Sequence, residues 1–176
     1  YHLPESLLRK IYGGPKPYDG PLSSDYTSYE GKARMVLWQE MLYEAVDSTG
    51  VCKFHSIFLS PNLIGFEELS KLIYLNTGLE LTPEEIWDIA DRAYTIERLF
   101  NIREGLTRGD DWVPDRYFDE PTPSGMPIVR GKSLDRGAFE RMIDEYYELH
   151  GWDEQGVPRP ETLKELGLDT EPLHTV

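Results

Sequence analysis

Apolar residues recur at three- and four-residue steps along much of the chain, which is the pattern of amphipathic helices. One such stripe runs from about residue 27 to residue 46, and another leads to the stop signal Asn76-Thr77-Gly78. The clearest helix start is Thr82, because Pro83 follows it directly and Glu85 completes a capping box. A long helix is predicted from this point, and its apolar face comprises Ile86, Ile89, Ala90, Ala93, Tyr94, Leu99 and Phe100.

Shorter helices are predicted near the two ends of the chain. Residues 4–11 and 160–166 each begin with a proline, and a further helix carries Phe139 to Tyr147 and ends at Gly151. The signal for strands is weak throughout, so the sequence predicts an all-α fold of five or six helices around one core.

Long irregular loops are predicted between these helices. Proline and glycine are too frequent in residues 13–26 and 107–132 for a regular element, and residues 51–59 are expected to be irregular or briefly extended. Because a stretch as long as 107–132 is uncommon inside a compact domain, we expect such loops to cover a partner.

Charge excludes several classes of partner. The 176 residues carry 18 Lys and Arg against 32 Asp and Glu, a net charge of −14, which disfavours binding to nucleic acid or to an anionic membrane. Hydrophobic residues make up 39% of the chain, enough for a core, but no run is long enough to cross a bilayer. A soluble cytoplasmic protein is therefore expected.

Cys52 is the first candidate for chemistry. A single cysteine cannot form an intrachain disulfide or supply all four ligands of a metal site, and a lone cysteine is most often a small buried hydrophobe. Asp47 and Gly50 precede it at a predicted helix end, where a carboxylate and close backbone approach can hold a polar heterocycle. Cys52 is then a candidate thiolate ligand for a metal or cluster whose other ligands lie elsewhere.

This segment resembles a known motif. The residues are Asp47-Ser48-Thr49-Gly50-Val51-Cys52-Lys53-Phe54, and they are similar to the second Asp-x-x-Gly-Leu-Cys motif of the tungsten-containing aldehyde:ferredoxin oxidoreductases. The similarity to the carboxy-terminal helical region of that family extends to Gly31-Lys32-Ala33, to residues 93–105, to Arg108-Gly109-Asp110-Asp111, to Glu145-Tyr146-Tyr147, to Gly151-Trp152-Asp153 and to Gly156-Val157-Pro158.

The resemblance implies a role for each residue of the motif. Asp47 would contact a pterin of a tungsten bis-pterin cofactor, in which molybdenum can replace tungsten, and Cys52 would be the fourth ligand of a 4Fe-4S cluster. Gly50, Val51 and Lys53 would be backbone neighbours of the cofactor, with Val51 standing where leucine is usual. His2 matches an active-site histidine of the family in a His-Leu pair.

The resemblance also implies that the chain is part of a larger enzyme. The other three cluster cysteines and the β-rich cofactor-binding domains of the family are missing from these residues, so the chain alone is expected to be inactive. We expect an entry helix and loop over 1–26, the family's helical domain over 27–168 and a tail over 169–176. The partners would be N-terminal domains of the same enzyme or a separately encoded subunit.

The implied reaction is oxidation of a small-molecule aldehyde to a carboxylic acid, with electrons passing through the cluster to a ferredoxin. One alternative keeps the family but changes the substrate, for example to an aromatic acyl-CoA. The other is a metal-free helical domain that binds or scaffolds a partner.

The remaining candidates have more ordinary interpretations. His55 is better explained as a structural histidine than as a group near a cofactor. The default for the charged residues around Arg98, Arg103 and Arg108 is a solvated face, with an ion-pair network or a docking site as the alternative. Tyr146, Tyr147 and Trp152 are expected to pack in the core or between domains.

Overall fold

The computed structural model describes residues 3–57 and 60–169, and every regular element in this part of the chain is helical. The all-α prediction is confirmed. The α-helices are α1 (Glu5–Tyr12), α2 (Lys32–Thr49), α3 (Phe66–Thr77), α4 (Pro83–Arg103), α5 (Arg116–Asp119), α6 (Arg136–Leu149) and α7 (Pro160–Glu165), with short 3-10 helices at Lys53–His55 and Arg108–Asp111.

Helix α2 lies at the centre of the fold and contacts α1, α3, α4 and α6. Met41, Leu42 and Val46 are 0% exposed because neighbouring helices cover α2 on several sides. Burying a side chain of this kind contributes roughly 1.5–3 kcal/mol. The same core includes Ile11, Leu37, Trp38, Ala45, Phe66, Leu69, Ile86, Trp87 and Ala90.

Helix α5 lies in the stretch 107–132 that the sequence predicts to be irregular, and it raises the count of α-helices in the described chain to seven. Its Phe118 is buried against Trp112 and Phe139, with ring centroids 5.3 and 5.6 Å away. Arg136 bonds to Asp119 at 2.9 Å. These contacts come from outside the four-residue helix, so local periodicity does not reveal it.

Helix ends are set by local chemistry. Thr82 accepts a hydrogen bond from the Glu85 amide at 3.1 Å and donates its own amide to the Glu85 carboxylate at 2.8 Å, which confirms the predicted capping box. Helix α2 begins at Lys32, later than predicted, because Gly31 precedes it in a left-handed conformation at φ 69°.

The apolar face of α4 is narrower than predicted. Ile89 is 44% exposed and Phe100 is 52% exposed, although Ile86 and Ala90 are buried. The face predicted from the three- and four-residue steps was therefore too wide, since α2 and α3 cover only part of it.

Candidate functional site

The predicted site lies where α2 ends. Gly50 adopts φ 73° and ψ 14°, and its amide donates to the Asp47 carbonyl at 3.2 Å. The Val51 amide donates to the Val46 carbonyl at 2.9 Å, so the last helical carbonyls are satisfied and the chain turns sharply away from the helix. This turn brings Lys53 back beside Asp47.

The backbone at this turn is open. Gly50 is exposed, and apart from Gly50 and its two chain neighbours no heavy atom of the described residues lies within 4 Å of the position that a Cβ would occupy there. Glycine is needed for the left-handed φ rather than for lack of space. Cys52 is also exposed, so its thiol is accessible to groups from outside the described chain and is not the buried hydrophobe that is usual for a lone cysteine.

Lys53 pairs with Asp47. Its Nζ lies 2.8 Å from Asp47 Oδ2 and 4.9 Å from the centre of the Tyr43 ring. The hydrogen bond to Asp47 raises the pKa of Lys53. Burial, followed by the charges of Glu97 and Asp47, raises the pKa of the neighbouring Glu44. This corner of the fold, residues 47–53, therefore holds a carboxylate, an ammonium and a thiol close together along the chain.

The donor set fits one edge of a cofactor site but not a complete metal site. In residues 3–57 and 60–169, no group of three or more His, Cys, Asp or Glu side chains is placed to hold a metal ion. Cys52 can supply one thiolate, Asp47 can accept from a ring N–H, and Gly50 allows close approach of a flat group. The sequence has one cysteine, so further cysteine ligands of a cluster would come from other polypeptide.

The histidine and aromatic candidates lie in different environments. His55 is exposed, whereas a satisfied structural histidine was expected. His2 lies outside the described residues. Tyr147 and Trp152 are each 1% exposed and pack in the interior as expected, and Tyr146 packs against them, with ring centroids 6.0 and 5.8 Å away.

The solvated charged face predicted around Arg98 is wrong for that residue. Arg98 is 8% exposed and makes two hydrogen bonds to Asp111, at 3.0 and 2.7 Å, and a third to the Gly156 carbonyl at 2.9 Å. Arg108 bonds to Asp144 at 2.6 Å. The structure therefore contains the ion-pair network that was the alternative prediction, because the loop that carries Arg108 and Asp111 folds back onto α4 and α6.

Sequence reasoning missed a groove beside the site. It has a volume of about 600 Å³ and lies between the end of α2, α3 and the start of α4, with Thr49 and Val51 at one side. All of its lining residues are uncharged, although the chain is 28% charged. Ile89, one of the lining side chains, is 44% exposed. Most of the apolar residues that line the groove belong to the predicted helical stripes, so the sequence alone did not separate them from the core.

None of the helices in the described part of the chain has the length and apolar character needed to span a bilayer.

Comparison with known proteins identifies the family. A family model described as aldehyde ferredoxin oxidoreductase, domains 2 and 3, matches residues 5–168. A tungsten-containing aldehyde ferredoxin oxidoreductase of Pyrococcus horikoshii is 32% identical over 173 residues, which cover 96% of this chain and 26% of that protein. The corresponding protein of Pyrococcus furiosus is 32% identical over 140 residues, covering 79% and 22% of the two chains.

Two further relatives carry different descriptions. The WOR-like subunit of an aliphatic sulfonate oxidoreductase of Pyrococcus furiosus is 32% identical over 82% of this chain and 23% of its own length. A solved active-site complex of benzoyl coenzyme A reductase, bound to a dienoyl-CoA, matches with a TM-score of 0.66 and 26% identity, over 95% of this chain and 24% of that one.

The chain spans about a quarter of the length of the curated relatives that it matches. The match covers the segment from Asp47 to Lys53 and nearly all of the helical fold. The resemblance inferred from the sequence is confirmed: this chain belongs to the aldehyde ferredoxin oxidoreductase family.

Proposed function

We propose that the chain is the carboxy-terminal helical part of a tungsten- or molybdenum-pterin, iron–sulfur oxidoreductase that converts an aldehyde to a carboxylic acid. The reaction consumes one aldehyde and one water and releases two protons and two electrons, which a ferredoxin-type protein accepts. The observation that carries the proposal is the exposed thiol of Cys52, one short turn after a glycine with open backbone, in a chain of this family.

Each residue of the corner has a part in this proposal. Cys52 supplies a thiolate to a 4Fe-4S cluster whose three other ligands come from outside the chain. Asp47 orients a pterin by accepting from its ring N–H groups, while Gly50 and Val51 present backbone to it. Lys53 balances the Asp47 carboxylate at 2.8 Å. When bound, the metal, pterin and cluster supply the redox chemistry.

The uncharged groove offers a surface for the polypeptide that carries the other ligands. It adjoins the corner at Thr49 and Val51, and the described relatives are about four times as long as the matched region. Grooves lined mainly by apolar side chains are common places for a ligand or a partner to bind. We therefore assign the groove to the N-terminal cofactor-binding domains or to a separately encoded subunit. The division of the chain at residues 26 and 168 remains a prediction.

Two relatives are described as enzymes that act on other substrates. The sulfonate oxidoreductase and the benzoyl coenzyme A reductase complex have chains similar to this one, so a different substrate within the family is the second candidate. Residues outside this chain would select among these substrates. A metal-free scaffold would need no cysteine at the corner.

The test is metal analysis of the assembled protein. The chain is co-produced with the polypeptide that supplies the remaining cofactor segments, the complex is purified without oxygen, and tungsten, molybdenum and iron are measured. We expect about four iron atoms per complex and loss of most of them on Cys52→Ala. Turnover of aldehydes, sulfonates and aryl-CoA esters with a low-potential dye then separates the substrate alternatives.

Ser6→Ala is the control, since Ser6 is an exposed residue of α1 that lies outside the turn and the groove and has no proposed ligand role. It should leave the iron content unchanged. An intact complex without iron, or one whose iron content Cys52→Ala does not lower, would contradict the proposal and favour a scaffold.

A further inference from the structure

A second cavity lies near the end of α2 that is opposite to the corner. It has a volume of about 450 Å³ and is bordered by residues 26–32, by α5 and the loop that follows it, and by the first turns of α6. Because Lys32 and Asp47 lie near the two ends of α2, roughly 22 Å of helix separates this cavity from the corner. Cavities of this volume commonly bind small molecules.

The walls of this cavity are joined by hydrogen bonds between the segments that form it. The Asp135 amide donates to the Tyr29 hydroxyl at 2.8 Å, and the Leu134 amide donates to the Tyr117 carbonyl at 2.8 Å. Thr122 closes the loop itself through backbone hydrogen bonds of 2.8 and 2.9 Å. These contacts make the cavity a fixed part of the fold, so a molecule that enters it does not first have to order the loop.

Four aromatic rings line the cavity. They belong to three tyrosines, Tyr26, Tyr29 and Tyr117, and to Phe139. Tyr26 and Tyr117 are 61% and 54% exposed, so their rings are available to a ligand. Pairs of aromatic rings attract one another by more than the apolar area that they bury. The lining therefore favours a flat aromatic ring over an aliphatic group of the same size.

The charge of the lining is positive, although the whole chain has a net charge of −14. The charged residues that border the cavity are Lys32, Lys132 and Asp135. One carboxylate oxygen of Asp135 accepts from the Ala138 amide at 2.7 Å, so part of its charge is taken up by the start of α6. Lys32 donates to the Ser23 carbonyl at 2.5 Å, and neither lysine forms an ion pair in the described part of the chain. Both ammonium groups can therefore donate to an anion in the cavity.

A single negative charge on the ligand matches this lining best. Burial lowers the pKa of Lys32, and the charge of Asp25 offsets this only in part. A carboxylate carries one negative charge at pH 7, which equals the excess of two lysines over one aspartate, whereas a phosphate monoester carries about 1.5 to 2. We propose that the cavity binds a small aromatic carboxylate, whose ring lies among the tyrosines and whose carboxylate accepts from Lys32 and Lys132. The site does not depend on the cofactor corner or on the proposed reaction.

The test is titration of the full chain, labelled with nitrogen-15, with benzoate and two matched compounds. Benzamide has the ring without the charge, and cyclohexanecarboxylate has the charge without the aromatic ring. We expect benzoate to cause saturable shifts of the amide signals of Tyr29, Leu134 and Asp135. Benzamide should bind about ten-fold more weakly and cyclohexanecarboxylate about five-fold more weakly. The absence of saturable shifts at these residues, or equal affinity for benzoate and either matched compound, would overturn the proposal.

Two variants change exposed side chains of the lining. Lys132→Gln should weaken the binding of benzoate about five-fold and leave that of benzamide unchanged. Tyr117→Leu should weaken the binding of benzoate but not that of cyclohexanecarboxylate, and it keeps the backbone carbonyl that holds Leu134.

Lys71→Gln is the matched control, since Lys71 is an exposed residue of α3 that does not line the cavity. It removes the same charge as Lys132→Gln and should leave the affinity for benzoate unchanged. Equal weakening of benzoate binding in the two lysine variants would show that only the net charge of the chain matters, and it would contradict the proposal. The wild-type titration decides even if Tyr117→Leu does not fold.

Discussion

Lys53 Nζ lies 2.8 Å from Asp47 Oδ2, so an ion pair closes the turn that ends α2. The carboxylate that the proposed function assigns to a pterin is thus already balanced by an ammonium from the same turn. A ring N–H that approaches Asp47 has to share this carboxylate with Lys53. The pair holds the Asp47 and Lys53 side chains together across the turn that Gly50 makes at the end of α2.

Asp47→Asn should lower the pKa of Lys53. The hydrogen bond to Asp47 holds this pKa above its ordinary value of 10.5, and the asparagine removes the negative charge. The raised pKa stabilises the fold below pH 10.5, and this contribution is lost as the pH rises further. Titration of the Lys53 side-chain carbon shifts measures the pKa. Asp88→Asn, at a separate ion pair with Lys16, is the control, and an unchanged Lys53 pKa in Asp47→Asn would contradict the pairing.

Gly50→Ala should destabilise the chain less than Gly31→Ala. Both glycines have a left-handed φ, 73° and 69°, which costs an alanine about 1 kcal/mol. At Gly50 the added Cβ meets open space, whereas at Gly31 it collides with the backbone carbonyl of Pro21. Urea unfolding compares the two free energies. Equal losses of unfolding free energy in the two variants would contradict the close contact between residue 31 and the Pro21 carbonyl.

Asp111→Asn should lower the free energy of unfolding by about 3 kcal/mol at pH 7, because it leaves the buried Arg98 guanidinium without its counter-ion. The side chains of Arg98 and Asp111 are 8% and 23% exposed. Asp115→Asn removes an ion pair to Arg136 in which the aspartate side chain is 75% exposed, and it should lower the free energy of unfolding far less than Asp111→Asn does. Similar losses in the two variants, measured by urea unfolding, would contradict the burial of Arg98.

Sequence reasoning succeeded where the determining contacts are local. Thr82 and Glu85 cap α4 from within one turn, and Gly50 ends α2 through its own φ, so both positions were predictable. The burial of Arg98 was not predictable, because its partners lie 13 and 58 residues further along the chain and the residues next to it in the sequence do not indicate them. The roles of Asp47 and Cys52 depend on groups outside this chain and stay predictions.

Thr82→Ala should destabilise the chain by about 1 kcal/mol, since it removes the side-chain oxygen that accepts from the Glu85 amide at 3.1 Å. Thr82→Ser keeps that oxygen and should cost only a few tenths of a kcal/mol. Thermal and urea unfolding of the two variants provide the measurement. If serine and alanine are equally destabilising, the loss comes from the methyl group and not from the cap.

The stabilisation that Asp111 provides should disappear in acid. Burial raises the pKa of Asp111, but the hydrogen bonds from Arg98 and Tyr147 outweigh it, and the pKa lies below the ordinary 3.8. A lowered pKa in the folded state stabilises above the ordinary value, and this contribution is lost as the pH falls through the folded value. The difference in unfolding free energy between wild type and Asp111→Asn should therefore stay constant from pH 7 to about pH 5 and shrink below pH 3.8. Urea unfolding across this range tests it, with Asp115→Asn as the flat control. A difference that stays constant to pH 3 would show that neutral Asp111 holds Arg98 as well as the carboxylate does, and that the ion pair is not what stabilises this junction.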